Sequence, residues 1–241
     1  MDALIYSAMA GAERALREQQ VRANNLANAG TTGFRADMAL ARSQAVEGFG
    51  YDARHMNRLE ADTVNTRVGT LVETGRDLDA AISGPGYFTV VNGDGEAYTR
   101  AGAFTLDAEG RLLLNGRAVL GEGGAIVLPP STRVTIGEDG TLSVLAEGAA
   151  EMQQVDKLKL VLPEPGDLHK NEAGLLVSRG GEPLPASEAV AVRGGQLETS
   201  NVSAVEEMVA SMQATRDFEL QMKLFKVADD LAANGNRLMR D

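Results

Sequence analysis

Cysteine is absent from this 241-residue chain. That rules out a disulfide framework and a thiol nucleophile; it leaves the compartment open, because a chain without thiols tolerates an oxidising one. Tryptophan is absent as well, and aromatic residues make up only 4%. A large aromatic core or a platform for stacking bases is therefore not expected. Basic charge is scarce: 23 Lys and Arg against 34 Asp and Glu leave a net charge of −11. Nucleic acid and anionic membrane surfaces both demand a basic face, so neither is expected as a partner. No apolar run approaches the ~20 residues that span a bilayer, and no membrane insertion is expected. The opening Met1-Asp2-Ala3-Leu4-Ile5-Tyr6-Ser7 lacks the basic region of a Sec signal, and Glu13, Arg14 and Arg17 break its apolar stretch. General rules then predict a cytosolic protein, or one that leaves by a route they do not read.

The candidates for chemistry are weak. Asn92-Gly93-Asp94-Gly95-Glu96 imitates the start of a calcium loop, but its twelfth position is Ala103 instead of a bidentate glutamate, and it lies between two strands. A hairpin turn is the expectation. Asp77 and Asp79 lack the remainder of a glycosidase cleft and read as a turn or solvated strand edge. His55 and His169 stand in polar stretches without a second metal ligand at useful spacing, as surface histidines do. Gly84-Pro85-Gly86 and Gly121-Glu122-Gly123-Gly124 lack the strand-to-helix context of a phosphate loop, and there is no Gly-x-Ser-x-Gly. The reading is of a protein that is no enzyme, with no catalytic residue, no metal site and no cofactor.

The conspicuous residues sit at the two ends. Ile5, Ala8, Met9, Ala12, Ala15, Leu16, Ala23 and Leu26 recur at spacings of three and four, which predicts an amphipathic helix over about 3–29. Its stripe is mostly alanine, and a partner helix can approach it closely. Asn28-Ala29-Gly30 and Thr32-Gly33 stop it. Residues 35–75, polar and arginine-rich, read as an extended connector, with the helix continuing toward Ala45. From Leu78 the period becomes two. Short strands such as Tyr87–Val91, Ala97–Arg100, Arg111–Leu114, Thr141–Val144 and Ala189–Val192 alternate with Asn-Gly and Asp-Gly turns, the signature of antiparallel hairpins. An all-β domain over 76–196 is expected. Beyond it, Val205, Met208, Met212, Phe218, Met222, Phe225, Ala228, Leu231 and Met239 form the stripe of a long helix, with Ser200 or Asn201 as its cap and Glu206 and Glu207 complementing its dipole. Some 40 residues make a helix of about 60 Å, more than this β-domain can cover. The expected fold is α+β: N- and C-terminal amphipathic helices (1–34 and 197–241) pairing as a coiled coil, the connector 35–75, and a central antiparallel all-β domain. Even paired, two such helices leave apolar surface for other copies.

Four ordered motifs carry a resemblance. They are Ala23-Asn24-Asn25-Leu26-Ala27-Asn28 with Thr32-Gly33-Phe34-Arg35; Gly84-Pro85-Gly86-Tyr87-Phe88-Thr89-Val90; Tyr98-Thr99-Arg100-Ala101-Gly102-Ala103-Phe104 with Asp107-Ala108-Glu109-Gly110; and Leu197-Glu198-Thr199-Ser200-Asn201-Val202 with Arg216-Asp217-Phe218-Glu219. Together they cover nearly the whole chain, which resembles the flagellar rod and hook family of bacteria. Its opening and modest length are similar to the proximal-rod branch; Phe34-Arg35 replaces the commoner Phe-Lys. The resemblance implies a structural subunit of the basal body, exported unfolded through the flagellar type III apparatus. It implies polymerisation with copies of itself and with other proximal- and distal-rod proteins, into the shaft that crosses the periplasm and carries torque from motor to hook, terminal helices lining the tube and β-domains outside. On that reading the subunit interface comprises Ile5, Met9, Ala12, Leu16, Ala23, Asn24, Asn25, Leu26, Asn28 and Phe34 at one end. At the other it comprises Asn201, Val205, Met208, Met212, Phe218, Met222 and Phe225. The rivals are a distal-rod or hook subunit of the same family, and a secreted β-rich hydrolase or carbohydrate binder.

Overall fold

The structure, a computed structural model, describes residues 2–45, 55–146, 148–149, 151–164, 166–171 and 173–238. The chain divides into two units. One, the helical body, comprises Met1–Ala27, Asp37–Asp62 and Ser203–Asp241; the other, the β-body, comprises Asn28–Ala36 and Thr63–Val202. With two long helices and a central antiparallel β region the protein is α+β.

In the helical body, α1 (Asp2–Ala27) packs against α2 (Ala204–Leu238). The 35 residues of α2 extend about 52 Å. Its cap is Ser203, two or three residues later than the sequence suggests: the Ser203 carbonyl accepts from Glu207 N–H at 3.0 Å and its hydroxyl from Glu206 N–H at 3.5 Å. Residues 37–45 do not continue α1. They form β1 (Asp37–Ala45), paired with β2 (His55–Val64) in a two-stranded sheet. The cause is tertiary, because the Asn25 amide engages both backbone groups of Asp37, as a neighbouring strand would.

The β-body is a set of small antiparallel sheets around a main core, beside a smaller cluster of Tyr87, Tyr98, Val161 and Leu176. After β3 (Leu71–Glu73) and β4 (Ala80–Ser83), β5 (Tyr87–Asn92) and β6 (Gly95–Thr99) form a hairpin. These two lie inside a five-stranded sheet with 160–161, 168–170 and 176–178. Gly93 at φ 60° supplies the left-handed residue of the two-residue turn, and Asn115-Gly116, at φ 50° and 77°, supplies another. Phe88 and Phe104 meet edge to face with centroids 5.3 Å apart. Ile82, Val90, Leu112, Ile126, Leu142, Leu158 and Val192 close around them. Asn92–Gly95 is thus a hairpin turn, as expected. Asp79 is no solvated edge: it is buried and accepts from the Thr74 hydroxyl at 2.6 Å. His169 lies half-buried in the strand 168–170; the side chain of His55 falls outside the described ones.

Candidate functional site

The two faces of α2 differ in kind. Toward α1 it presents Glu207, Ala214, Gln221 and Ala228, seven residues apart; Ala8, Gly11 and Ala15 belong to the α1 side of the seam. The Gln221 amide lies so close to Gly11 that a Cβ there would sit 2.7 Å from it. The seam therefore contains few large apolar groups. The large ones point elsewhere: Val205, Met208, Val209, Met212, Leu220, Leu224, Val227 and Leu231 on α2, and Tyr6, Met9 and Leu16 on α1, are all exposed. Large apolar side chains exposed in this number along two helices mark an interaction surface.

At one end of the seam sits a polar cluster. Asn25, fully buried, donates from Nδ2 to the Asp37 carbonyl at 3.1 Å and to Glu207 Oε1 at 3.2 Å, while its Oδ1 accepts from Asp37 N–H at 2.8 Å. Arg22 Nη1 lies 3.3 Å from Glu207 Oε2 and its Nη2 3.4 Å from Glu18. Asn24 donates to the Asp37 carboxylate at 2.7 Å. One amide thus joins the last turn of α1, the start of β1 and the first turn of α2.

The β-body holds a second polar cluster, and its charges are fully desolvated. Glu198 lies 2.6 Å from Arg35 Nη2 and 3.3 Å from Arg100 Nη1, with all three side chains at most 2% exposed. Its Oε1 also accepts from Gly69 N–H at 2.6 Å, and its backbone carbonyl from Gly33 N–H at 2.8 Å. Arg100 donates further to the carbonyls of Ile82, at 3.2 Å, and Gly84. Burial pulls the Arg100 guanidinium below the ordinary arginine value; Glu198 opposes that and Arg35 adds to it. Two glycines make room. Gly33, at φ 68°, passes so close to the Arg100–Ala101 peptide that a Cβ would lie 2.1 Å from Ala101 N, and a Cβ on Gly102 would lie 1.7 Å from the Ala80 carbonyl. Asn201 closes the arrangement: it accepts from Ala36 N–H at 2.8 Å and donates to the carbonyls of Asn65 and Arg67 at 3.0 and 2.9 Å. The Lys170 ammonium stands 3.9 Å from the Phe34 ring centroid. The arrangement is that of an internal clamp.

Three family models match in order along the chain: "Flagella basal body rod protein" over residues 5–35, "Flagellar hook protein FlgE/F/G D1 domain" over 81–144, and "Flagellar basal body rod FlgEFG protein C-terminal" over 193–238. The flagellar basal-body rod protein FlgF of Escherichia coli (strain K12) is 36% identical over 248 residues, covering 99% of both chains. FlgF of Caulobacter vibrioides is 32% identical, covering 96% of each, and FlgG of Bacillus subtilis (strain 168) is 31% identical over 94% of this chain and 95% of its own. The chain belongs to the flagellar basal-body rod protein family. It is a structural subunit of the rod, a component of the flagellar basal body and of motility. No helix among the described residues is long and apolar enough to cross a membrane.

Within this rod protein, the residues singled out from the sequence separate into two groups. Met9, Leu16, Ala23, Val205, Met208, Met212, Met222 and Phe225 are exposed, and Ala12, Leu26 and Phe218 are half-buried. Asn24, Asn25, Phe34 and Asn201 instead make the contacts within the chain given above, and Asn28 accepts from Thr31 N–H at 3.1 Å. Ile5 lies in α1 with its side chain outside the described ones. Glu198, Arg100 and Glu207 escaped selection as single residues. The available signal was a charged residue set among small and apolar neighbours, as Arg100 is in Tyr98-Thr99-Arg100-Ala101-Gly102.

Proposed function

We propose that this rod protein occupies the proximal rod and polymerises through its terminal helices into the hollow shaft that transmits torque and passes exported subunits. The observation that carries this reading is the row of exposed large apolar side chains on α1 and α2, opposite a seam of small ones. A helix pair held chiefly by alanines gains little from its own burial, and neighbours that cover the outer face complete it. The seven-residue spacing of the buried positions supports coiled-coil pairing of α1 with α2. Segments 1–34 and 197–241 form the polymerisation core, 35–75 connects, and 76–196 is the β-domain. The exposed residues Met9, Leu16, Val205, Met208, Met212, Met222 and Phe225, with Ile5, Ala12, Ala23, Leu26 and Phe218, face other subunits; Asn24, Asn25, Asn28, Phe34 and Asn201 shape that interface from within. The partners are copies of this chain, the other rod proteins, and the flagellar type III export apparatus, through which the chain passes unfolded. No catalysis and no cofactor enter this role.

The test is complementation of a strain lacking the gene with chains carrying Leu26→Asp, Met212→Asp or Met222→Asp. The expected result is loss of swarming and of the protein from purified basal bodies, with the β-body still folded by circular dichroism. Full motility with all three variants overturns the assignment of these faces.

A further inference from the structure

Methionine is the only sulfur-bearing residue of this chain, which has nine methionines, no cysteine and no tryptophan. Sensitivity to mild two-electron oxidants therefore falls on the thioethers. Four of them stand on the two long helices with open side chains. Met9 on α1 is 56% exposed, and Met208, Met212 and Met222 on α2 are 47%, 59% and 47% exposed. Met208 and Met212 lie one turn apart and share their side of α2 with Val205 and Val209, which are exposed too. The interior is different. Among the described residues no methionine is buried: the β-body core is built from alanine, valine, isoleucine, leucine and phenylalanine, and the helix seam holds alanines, Gly11 and Gln221. Oxidation of methionine thus spares both interiors and marks the outer faces of the helices.

We propose that Met9, Met208, Met212 and Met222 are an oxidation site that switches docking off in the unassembled chain and is closed once neighbours cover it; this rests on the assembly reading above. The oxidant class is a peroxide. The thioether sulfur attacks one peroxide oxygen, an S–O bond forms as the O–O bond breaks, and the other oxygen leaves as water. Sulfur is oxidised by two electrons to the sulfoxide, and the peroxide is reduced. A flexible apolar side chain that fits an irregular neighbour becomes a polar one. Burying that S–O group against apolar side chains, with no donor to meet it, costs free energy at each position. The chain keeps its fold and loses its adhesion, and reduction of the sulfoxide restores both faces.

Purified full-length chain and isolated basal bodies are treated with hydrogen peroxide, and sulfoxides are followed peptide by peptide by mass spectrometry. In the monomer the four methionines should oxidise as fast as Met152, which is exposed on the β-body. In basal bodies they should react several-fold more slowly than in the monomer. Methionines slower than Met152 in the monomer overturn the proposal. Equal rates in the two states mean that nothing covers these faces, and the assembly reading falls as well. The second measurement is swarming of a strain whose chain carries Met9→Gln, Met208→Gln, Met212→Gln and Met222→Gln together, beside one with leucine at the same four positions. Glutamine is polar, as the sulfoxide is, and forms helix about as well as methionine. The glutamine set should lose swarming and the leucine set keep it. Swarming with both sets, or with neither, overturns the proposal. A swarming glutamine set beside a non-swarming Met212→Asp strikes the oxidation switch alone and leaves rod assembly standing.

Discussion

Glu198 answers two guanidiniums at once, and its side chain is fully buried with theirs. Glu198→Ala leaves Arg35 and Arg100 buried without a counter-charge, a loss of about 3–5 kcal/mol for breaking a buried pair. Thermal or urea unfolding of the β-body measures it; a loss under about 1 kcal/mol would mean that water reaches the clamp. Asn25 makes a sharper case. Asn25→Asp sets a carboxylate against Glu207, at the atom that now receives its Nδ2 hydrogen bond, so destabilisation of the helical body is expected. Adding Glu207→Gln to that variant should restore much of it, while a merely steric defect would not be rescued. The turns of the β-body titrate. Asp139 is held below the usual carboxylate range, first by the Thr141 hydroxyl and then by its N–H; at Asp107 desolvation raises the carboxyl, but hydrogen bonds from the Arg111 N–H and guanidinium and from the Glu109 N–H bring it below the usual range. A depressed folded value contributes stability that is present above the unfolded value near pH 4 and lost as pH falls through the folded one. Asp139→Asn should thus lower Tm at pH 6, with the deficit shrinking below about pH 4.

At the scale of elements, glycine and asparagine show how much of the chain was legible. The hairpin at Asn92–Gly95 and the turn at Asn115-Gly116 could be read directly, because positive φ has few residue solutions. Strand β4, Ala80-Ala81-Ile82-Ser83, was not readable: it is buried on both faces and shows no alternation. The strand 153–157, Gln153-Gln154-Val155-Asp156-Lys157, hid for the opposite reason, being polar and at a sheet edge. The stripe assigned to the C-terminal helix merged two lines, since Ala228 is buried whereas Val205 and Met212 are exposed. Only a partner's position separates them. The signature motifs were visible, but their work inside the β-body was not, because Arg35, Arg100 and Glu198 are 65 and 98 residues apart (35, 100, 198). Gly102→Ala tests that interior: with the Ala80 carbonyl at 1.7 Å from the new Cβ, destabilisation of at least about 1–3 kcal/mol is expected in denaturant unfolding.

For the molecule as a whole, the two bodies differ in what completes them. The β-body buries aromatic and branched side chains around Phe88 and Phe104 and is finished by its own residues. The helical body buries alanines and keeps its largest apolar groups outside, the arrangement of a part that neighbours finish. Amide hydrogen exchange, followed residue by residue in the purified monomer and again in isolated basal bodies, compares the two directly. The account predicts fast exchange throughout α1 and α2 in the monomer, beside a protected core at Phe88 and Phe104, and strong protection of both helices once assembled. Helices as protected in the monomer as the β-body would contradict it, and their outer faces would then not need a neighbour to complete the fold.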